Sequence, residues 1–500
     1  MTAQHLATRP AVALDRVPAK AAGRPRLAWL DGLRGIAALG VVYEHFGARV
    51  LPGVHAVVFS VFDPGLYGVL LFFLISGYIV PASLERRGSL RTFWISRLFR
   101  LFPLFAFVAG ATLLLSLADL VSLQSMSHNV AAMVLSHLFM LNDLLGGTNL
   151  IVVIWTLSYE MVFYLLLSAL FTSGLHRRSG VLAVAFAAGA LLLGGVLPNG
   201  LLSRTFGLTQ VALAADVLVI GGLAAAVATR GLTRTLGAWL AAGTGLILVV
   251  CNERRFAYEG LTILALMFTG TMLYRARQGQ IGHWRAITVA AGVFAAAMAA
   301  GAWHIPAVSP GSQSALQQRD WIMSVALAGI TFAAGLALQN LRVPRVLAWL
   351  GLVSYSVYLL LPLMLDLYDA IPFPRSYQHQ DWLQAGVSVV FLAALLGCSA
   401  LTYYLVEAPM QRLGRRVTAR LDARFRLPAD AVAARPARDT RSGGPGENHV
   451  GGDRHRRAAS SRVGNPDRPQ QLPRVESPLR GSGRERGRGT ADQAPRQAPG

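Results

Sequence analysis

Long apolar segments recur along the first four fifths of the 500-residue chain, and they constrain its fold more than any other feature. Each is about 16–22 residues long, the length of a helix that crosses the roughly 30 Å hydrocarbon core of a membrane. Apolar residues make up 54% of the chain, whereas only 14% of its residues are charged. The sequence therefore predicts an all-α, polytopic integral membrane protein with about 10–12 transmembrane helices.

The predicted spans are separated by loops, many of which carry arginine. A weaker apolar stretch at 130–145 is expected to be interfacial or re-entrant, because a full span there would reverse the side of every later basic loop. If that stretch is not a transmembrane span, both termini and nearly all basic loops are expected to face the cytosol of a bacterial inner membrane. The exception is Arg254–Arg255, which falls on the outer side. The predicted spans are 36–52, 66–82, 101–120, 151–172, 181–197, 208–229, 233–251, 258–274, 286–303, 321–340, 347–366 and 384–406.

The two ends of the chain differ from the membrane domain predicted for residues 29–415. Residues 1–28 lack an apolar core with a cleavage site, so we expect a cytosolic tail and no signal peptide. Residues 416–500 are rich in Arg, Pro and Gly and are predicted to be disordered. From 411 to 500 there are 20 arginines and 9 acidic residues, about half of the net charge of +21. A solvated tail is the simplest interpretation, and no nucleic-acid partner is expected.

His45 and Glu160 are ionisable residues inside predicted spans, where a charge costs roughly 2.5–3.5 kcal/mol and usually faces a cavity or a partner. His45 lies about nine residues into the first span, and Glu160 lies about nine residues into a span that enters from the opposite side. Both then reach the membrane midplane, where a histidine and a carboxylate are able to form an acid–base pair. A purely structural His–Glu hydrogen bond between two helices remains the alternative.

Three arginines near the cytosolic surface are candidates for binding phosphate. Arg97 and Arg100 are three residues apart, so they share one face of a helix, and two guanidinium groups make a good phosphate clamp. Arg34 lies eleven residues before His45, about 16 Å along the same helix. The competing explanation is that Arg97 and Arg100 only anchor their helix at the cytosolic surface, as the positive-inside rule describes. A ligand that joins these arginines to His45 has to be long and thin.

Six segments together resemble the acyltransferase 3 family of membrane O-acyltransferases over residues 28–415. The late helix departs from the family pattern, because Leu361 stands where relatives often carry a histidine. The segments are "LDGLRGIAALGVVYEHF", "FFLISGYIVPASLERR", "FWISRLFRLFP", "WTLSYEMVFYLL", "LGLVSYSVYLLLPLML" and "YYLVEAPM".

The resemblance implies transfer of an acyl group, often from acyl-CoA, to a hydroxyl of a sugar or small molecule in the lipid bilayer. It implies no permanently bound cofactor, and neither the two cysteines nor any other residues predict a metal site. A cell-surface polysaccharide, a glycolipid and a secreted glycosylated metabolite all remain open as acceptors. The implied roles are His45 and Glu160 in catalysis, Arg34, Arg97 and Arg100 in binding acyl-CoA, and Ser76, Tyr78, Trp155 and Tyr358 in binding substrate.

Our interpretation is that His45 acts as general base on the acceptor hydroxyl, helped by Glu160, with a covalent acyl-His45 intermediate as a variant. The alternative is a transporter of an acylated glycan or lipid that uses the His–Glu pair as a proton relay. Inverted repeats or paired broken helices would support transport, and the sequence contains neither signal.

Overall fold

The computed structural model describes residues 28–121, 130–147, 149–254, 256–305, 313–371 and 381–425, and within these ranges every regular element is helical. In chain order the helices are α1 (Ala28–Val50), α2 (Pro52–Phe59), α3 (Pro64–Arg87), α4 (Leu90–Leu117), α5 (Val130–Leu138), α6 (Asn142–Leu145), α7 (Trp155–Thr172), α8 (Ser179–Leu193), α9 (Leu201–Phe206), α10 (Leu208–Ala228), α11 (Gly231–Cys251), α12 (Ala257–Arg277), α13 (His283–His304), α14 (Gln313–Ala337), α15 (Arg345–Ala370), α16 (Asp381–Thr402) and α17 (Ala408–Phe425).

Each of the twelve predicted spans overlaps one long helix, and the predicted all-α membrane fold is confirmed. In the described part of the chain, nine helices are long and apolar enough to cross a membrane, the last being α16 continued into α17. Of the other three, α8 has only 15 residues, and α1 and α12 carry more polar side chains. Such side chains belong in the interior of a bundle rather than against lipid. The chain is therefore a multi-pass membrane protein.

The stretch at 130–145 forms the short helices α5 and α6. The nine residues of α5 extend roughly 14 Å, about half of a hydrocarbon core, so this helix is too short to span it. Helix α17 runs ten residues past the predicted domain boundary at 415, and 1–27 and 426–500 lie outside the described residues. The first ten residues of the predicted disordered tail are therefore helical.

Local signals explain where α3 begins and ends and where α4 begins. The Asp63 carboxylate accepts a hydrogen bond from the Leu66 N–H at 2.8 Å, and Pro64 occupies the first helical position of α3. Gly88 ends α3 with a φ of 64°, a backbone conformation that glycine adopts without strain. The Ser89 hydroxyl then accepts from the Thr92 N–H at 3.4 Å, and α4 starts in a new direction.

Helices α3, α7 and α12 form the centre of the bundle, and α1 packs between α3 and α15. A Cβ atom at Gly77 would lie only 1.9 Å from the carbonyl oxygen of Met267, so no larger residue allows α3 and α12 to approach this closely. Helix α17 packs on α4. The cavities described below lie between these elements.

Candidate active site

A narrow central pocket of about 80 Å³ lies between α1, α3, α4, α7 and α15. Among the described residues that line it, Glu160 on α7 is the one acidic side chain. The Glu160 carboxylate accepts hydrogen bonds from the Tyr164 hydroxyl and, at 3.4 Å, from the Ser76 hydroxyl. Arg34 and Arg100 line the same pocket and attract Glu160 electrostatically. The pocket therefore contains one carboxylate and two guanidinium groups in a low-dielectric interior.

A second cavity of about 370 Å³, here called the arginine cavity, opens beside Arg100. Arg87 from α3, Arg97 and Arg100 from α4, and Arg415 from α17 line it together with neutral side chains. Arg97 is only 5% exposed, and its guanidinium lies over the rings of Phe93 and Tyr164. No acidic residue is part of the described lining, so the cavity suits an anion.

A third cavity of about 340 Å³, the glutamate cavity, shares Arg100 and Arg415 with the arginine cavity and Arg34 with the central pocket. Glu407 lines it and stands at the end of a π-helical turn that joins α16 to α17. The Glu407 carboxylate accepts hydrogen bonds from the Ser356 hydroxyl at 3.1 Å and from the Gln411 amide at 3.0 Å. These contacts give the buried carboxylate a fixed position opposite Arg34 and Arg100.

A fourth and much larger cavity of about 1460 Å³, the histidine cavity, holds His45. Its rim carries aromatic side chains such as Phe59, Trp155 and Phe256 and the amide side chains of Asn149 and Asn199. Aromatic faces combined with hydrogen-bonding amides suit a ligand that has both flat apolar faces and hydroxyl groups.

The imidazole of His45 is oriented for accepting a proton. Its Nδ1 lies 3.1 Å from the carbonyl oxygen of Val41. Because a carbonyl oxygen only accepts, Nδ1 carries the proton in the neutral ring and Nε2 keeps its lone pair. The Arg49 guanidinium donates to the His45 carbonyl oxygen at 2.7 Å and fixes the backbone of this turn.

Asp63 is a candidate carboxylate partner for His45. The two groups attract each other electrostatically, and both line the histidine cavity. Burial raises the pKa of the Asp63 carboxyl above its ordinary value, while the hydrogen bond from the Leu66 N–H opposes that rise. A carboxylate in this position stabilises an imidazolium formed on His45.

In the structure, His45 and Glu160 do not form the predicted pair. Among the described residues, no hydrogen bond or ion pair joins them, and they line different cavities. Helix α1 begins at Ala28, ahead of the predicted membrane span of 36–52, and His45 is the eighteenth of its 23 residues. Val69 and Tyr358 line both cavities and form the wall between them.

The other predicted site residues divide into two groups. Tyr358 lines the central pocket and the histidine cavity, with its hydroxyl 3.1 Å from that of Thr156, and Trp155 lines the histidine cavity. Tyr78 lines none of the four cavities. It is 4% exposed and makes edge-to-face contacts with Trp29 and other rings, which indicates a packing role instead of substrate contact.

Three site residues were not identified from the sequence as binding or catalytic: Asp63, Glu407 and Arg415. Asp63 is the residue before Pro64, where a carboxylate is typical of a helix cap, and that local signal does not indicate proximity to His45. Glu407 was noted only as part of the last motif. Arg415 belongs to a basic segment that looks like an ordinary cytosolic anchor.

Comparison with known proteins places this geometry in context. The model of the acyltransferase 3 family, described as an acyltransferase domain, matches residues 27–404. "Putative O-acetyltransferase SACOL0978" of Staphylococcus aureus (strain COL) is 35% identical over 113 residues, 21% of this chain and 16% of that protein. "O-acetyltransferase OatA" of Staphylococcus aureus (strain NCTC 8325 / PS 47) is 29% identical over 162 residues, 30% of this chain and 25% of that protein. These matches therefore span a quarter or less of each relative. No solved structure matches the chain.

Proposed function

Because the chain belongs to the acyltransferase 3 family, we propose that it is a membrane O-acyltransferase. It transfers an acetyl or other short acyl group from acyl-CoA to a hydroxyl of a carbohydrate or a glycosylated small molecule. One observation carries this proposal: the four cavities follow one another through shared lining residues. Arginines line one end of the series, the narrow central pocket lies between, and His45 lies at the other end.

Acyl-CoA has a shape and charge that suit this series of cavities. Its phosphates are at one end, its pantetheine arm is thin and uncharged, and its thioester is at the other end. The phosphates are held by Arg34, Arg97 and Arg100, as charge-assisted hydrogen bonds to guanidinium groups favour. The arm passes the central pocket, where Ser76 and Glu160 lie, and the thioester reaches the wall at Tyr358. Movement of that side chain opens a path to His45.

His45 acts as the general base in this proposal. Its Nε2 takes the proton from the acceptor hydroxyl while the hydroxyl oxygen forms a bond to the thioester carbonyl carbon. The tetrahedral intermediate then breaks its carbon–sulfur bond, and the CoA thiolate recovers the proton from the imidazolium. Asp63 stabilises the imidazolium between these steps, the role that we first expected of Glu160. Glu160 instead balances the charge of Arg34 and Arg100.

The acceptor binds in the histidine cavity. Its volume of about 1460 Å³ accommodates several sugar units. Trp155 offers a flat apolar surface, and Asn149 and Asn199 offer amide groups to hydroxyls. This lining supports a carbohydrate or a glycosylated metabolite as acceptor.

The arginine-lined end faces the cytosol of a bacterial plasma membrane, in agreement with the positive-inside rule. Acyl-CoA is then available to the arginines, and both chain termini are cytosolic. The histidine cavity faces the opposite side, together with Arg254, the basic residue that did not fit the predicted topology.

The test compares bacterial cells that express wild-type protein, His45→Ala, or an empty vector, at equal membrane abundance of the two proteins. Surface glycans, lipids and secreted metabolites are profiled by mass spectrometry after feeding with isotopically labelled acetate. We expect one species to gain a labelled acyl mass with wild type alone. If the alanine variant forms the same species to the same extent, the general-base role is wrong and transport of an acylated product becomes the better explanation.

A further inference from the structure

Besides Arg100, the arginine cavity contains three positive charges, those of Arg87, Arg97 and Arg415. Arg87 interacts electrostatically with Arg97 and Arg415, and these interactions are repulsive. In the described part of the chain, no carboxylate forms an ion pair with any of the three. The Arg97 side chain is buried, and its Nε and Nη1 atoms have no hydrogen-bond partner. Buried guanidinium donors without partners are costly, which indicates that an anion binds there.

Part of this cavity comes from outside the family match. That match ends at residue 404, whereas Gln411, Arg415 and Thr418 on α17 line the arginine cavity. Gly414 holds α17 close to α4, because a Cβ atom at this position would lie 2.7 Å from the Cβ of Phe99. The close approach of the two helices brings Arg415 to the cavity that Arg97 lines.

The arginine cavity and the glutamate cavity differ in charge, and this difference indicates which phosphate of CoA each one binds. A phosphomonoester carries a charge of about −1.5 to −2 at neutral pH, whereas each phosphate of a pyrophosphate diester carries one negative charge. The glutamate cavity contains Glu407 among its arginines and borders the central pocket through Arg34 and Arg100. The arginine cavity contains no acidic residue in its described lining and shares only Arg100 with the central pocket. It is therefore the place for the more highly charged phosphate at the far end of the donor.

We propose that the arginine cavity binds the 3′-phosphate of CoA and that Arg415, on the helix beyond the family match, is a specificity-determining residue for this donor. The assignment rests on the proposed function, because it takes acyl-CoA as the donor. It adds that the enzyme distinguishes CoA from dephospho-CoA, which lacks only that phosphate.

The experiment measures binding of CoA and of dephospho-CoA to the full-length protein in nanodiscs of neutral lipid by isothermal titration calorimetry. It compares wild type with Arg415→Gln, with Arg87→Gln from α3, and with Arg416→Gln as matched control, because Arg416 is an exposed arginine of α17 that lines none of the four cavities. We expect wild type to bind CoA about tenfold more tightly than dephospho-CoA, the effect of one charge-assisted hydrogen bond. Both cavity variants reduce that ratio to near one by weakening CoA binding alone, and Arg416→Gln preserves it.

Other outcomes are distinguishable. Equal binding of CoA and dephospho-CoA to wild type overturns this assignment but leaves the acyl-CoA donor in place. If, in addition, Arg415→Gln lowers the amount of anionic phospholipid that co-purifies with the protein, a lipid headgroup occupies the cavity. Absence of CoA binding to wild type overturns the proposed donor together with this assignment.

Discussion

At the scale of single residues, His45 near the end of α1 and Asp63 at the start of α3 line the same cavity. We predict that Asp63→Asn lowers acyl transfer about tenfold or more, because the variant loses the charge that stabilises the imidazolium. Asparagine caps helices about as well as aspartate, so the start of α3 and the fold are preserved. The measurement is the amount of acylated product per unit of membrane protein, with a thermal melt to check stability. An unchanged yield of acylated product would show that Asp63 does not assist His45.

The central pocket supports a second prediction at this scale. Glu160→Gln keeps the shape of the side chain but removes one of the negative charges that attract Arg34 and Arg100, which Asp31 and Glu407 also attract. We expect a loss of about 2 kcal/mol in stability, less than for a fully buried pair because Glu160 is only partly buried. Ser76→Ala removes one long hydrogen bond of 3.4 Å and is expected to cost less than about 1 kcal/mol. Melting temperatures of the two variants in detergent measure the difference, and equal losses would contradict the assigned role of Glu160.

At the scale of helices, the sequence predicted the all-α membrane fold correctly, and each predicted span overlaps a helix, because apolar length and loop charge are local properties. The relation of His45 to Glu160 was not predictable in the same way. Similar predicted depths along two helices do not determine which side chains share a cavity, and His45 and Glu160 line different ones. The closeness of Asp63 to His45, and of Arg415 to Arg97, depends on how helices pack, and no local pattern encodes it. Tyr78 matches a motif, yet its surroundings place it in the packed interior.

The packing of α17 on α4 leads to a prediction about CoA binding. Gly414→Leu forces the two helices apart at Phe99, so we expect it to weaken CoA binding about as much as Arg415→Gln does. The matched control is Gly110→Leu on α4, where a Cβ atom meets nothing within 4 Å. Combining Gly414→Leu with Phe99→Ala keeps the Cβ at position 99 but removes the ring atoms next to it, so it should restore only part of the binding. Titration calorimetry with CoA measures all three variants. If Gly414→Leu binds CoA as wild type does, α17 contributes nothing to the donor site.

At the scale of the whole molecule, the proposed reaction places the two ends of the cavity series on opposite sides of the membrane. The proposed orientation places α17 in the cytosol and α2 outside. Val57 on α2 is 68% exposed and Arg416 on α17 is exposed, so each is suitable for labelling. We replace the free cysteines Cys251 and Cys398 with serine and introduce Val57→Cys or Arg416→Cys.

A maleimide that does not cross membranes is expected to label the Val57→Cys variant in intact cells and the Arg416→Cys variant only after permeabilisation. The physical reason is the distribution of arginines, which retains the basic loops and α17 on the cytosolic side during insertion. Full labelling of the Val57→Cys variant before permeabilisation, with retained acylation activity, would place the histidine cavity outside, where surface or secreted acceptors are found. The reverse pattern would expose the arginine cavity to a compartment without acyl-CoA, and the proposed donor and direction of transfer would both have to be abandoned.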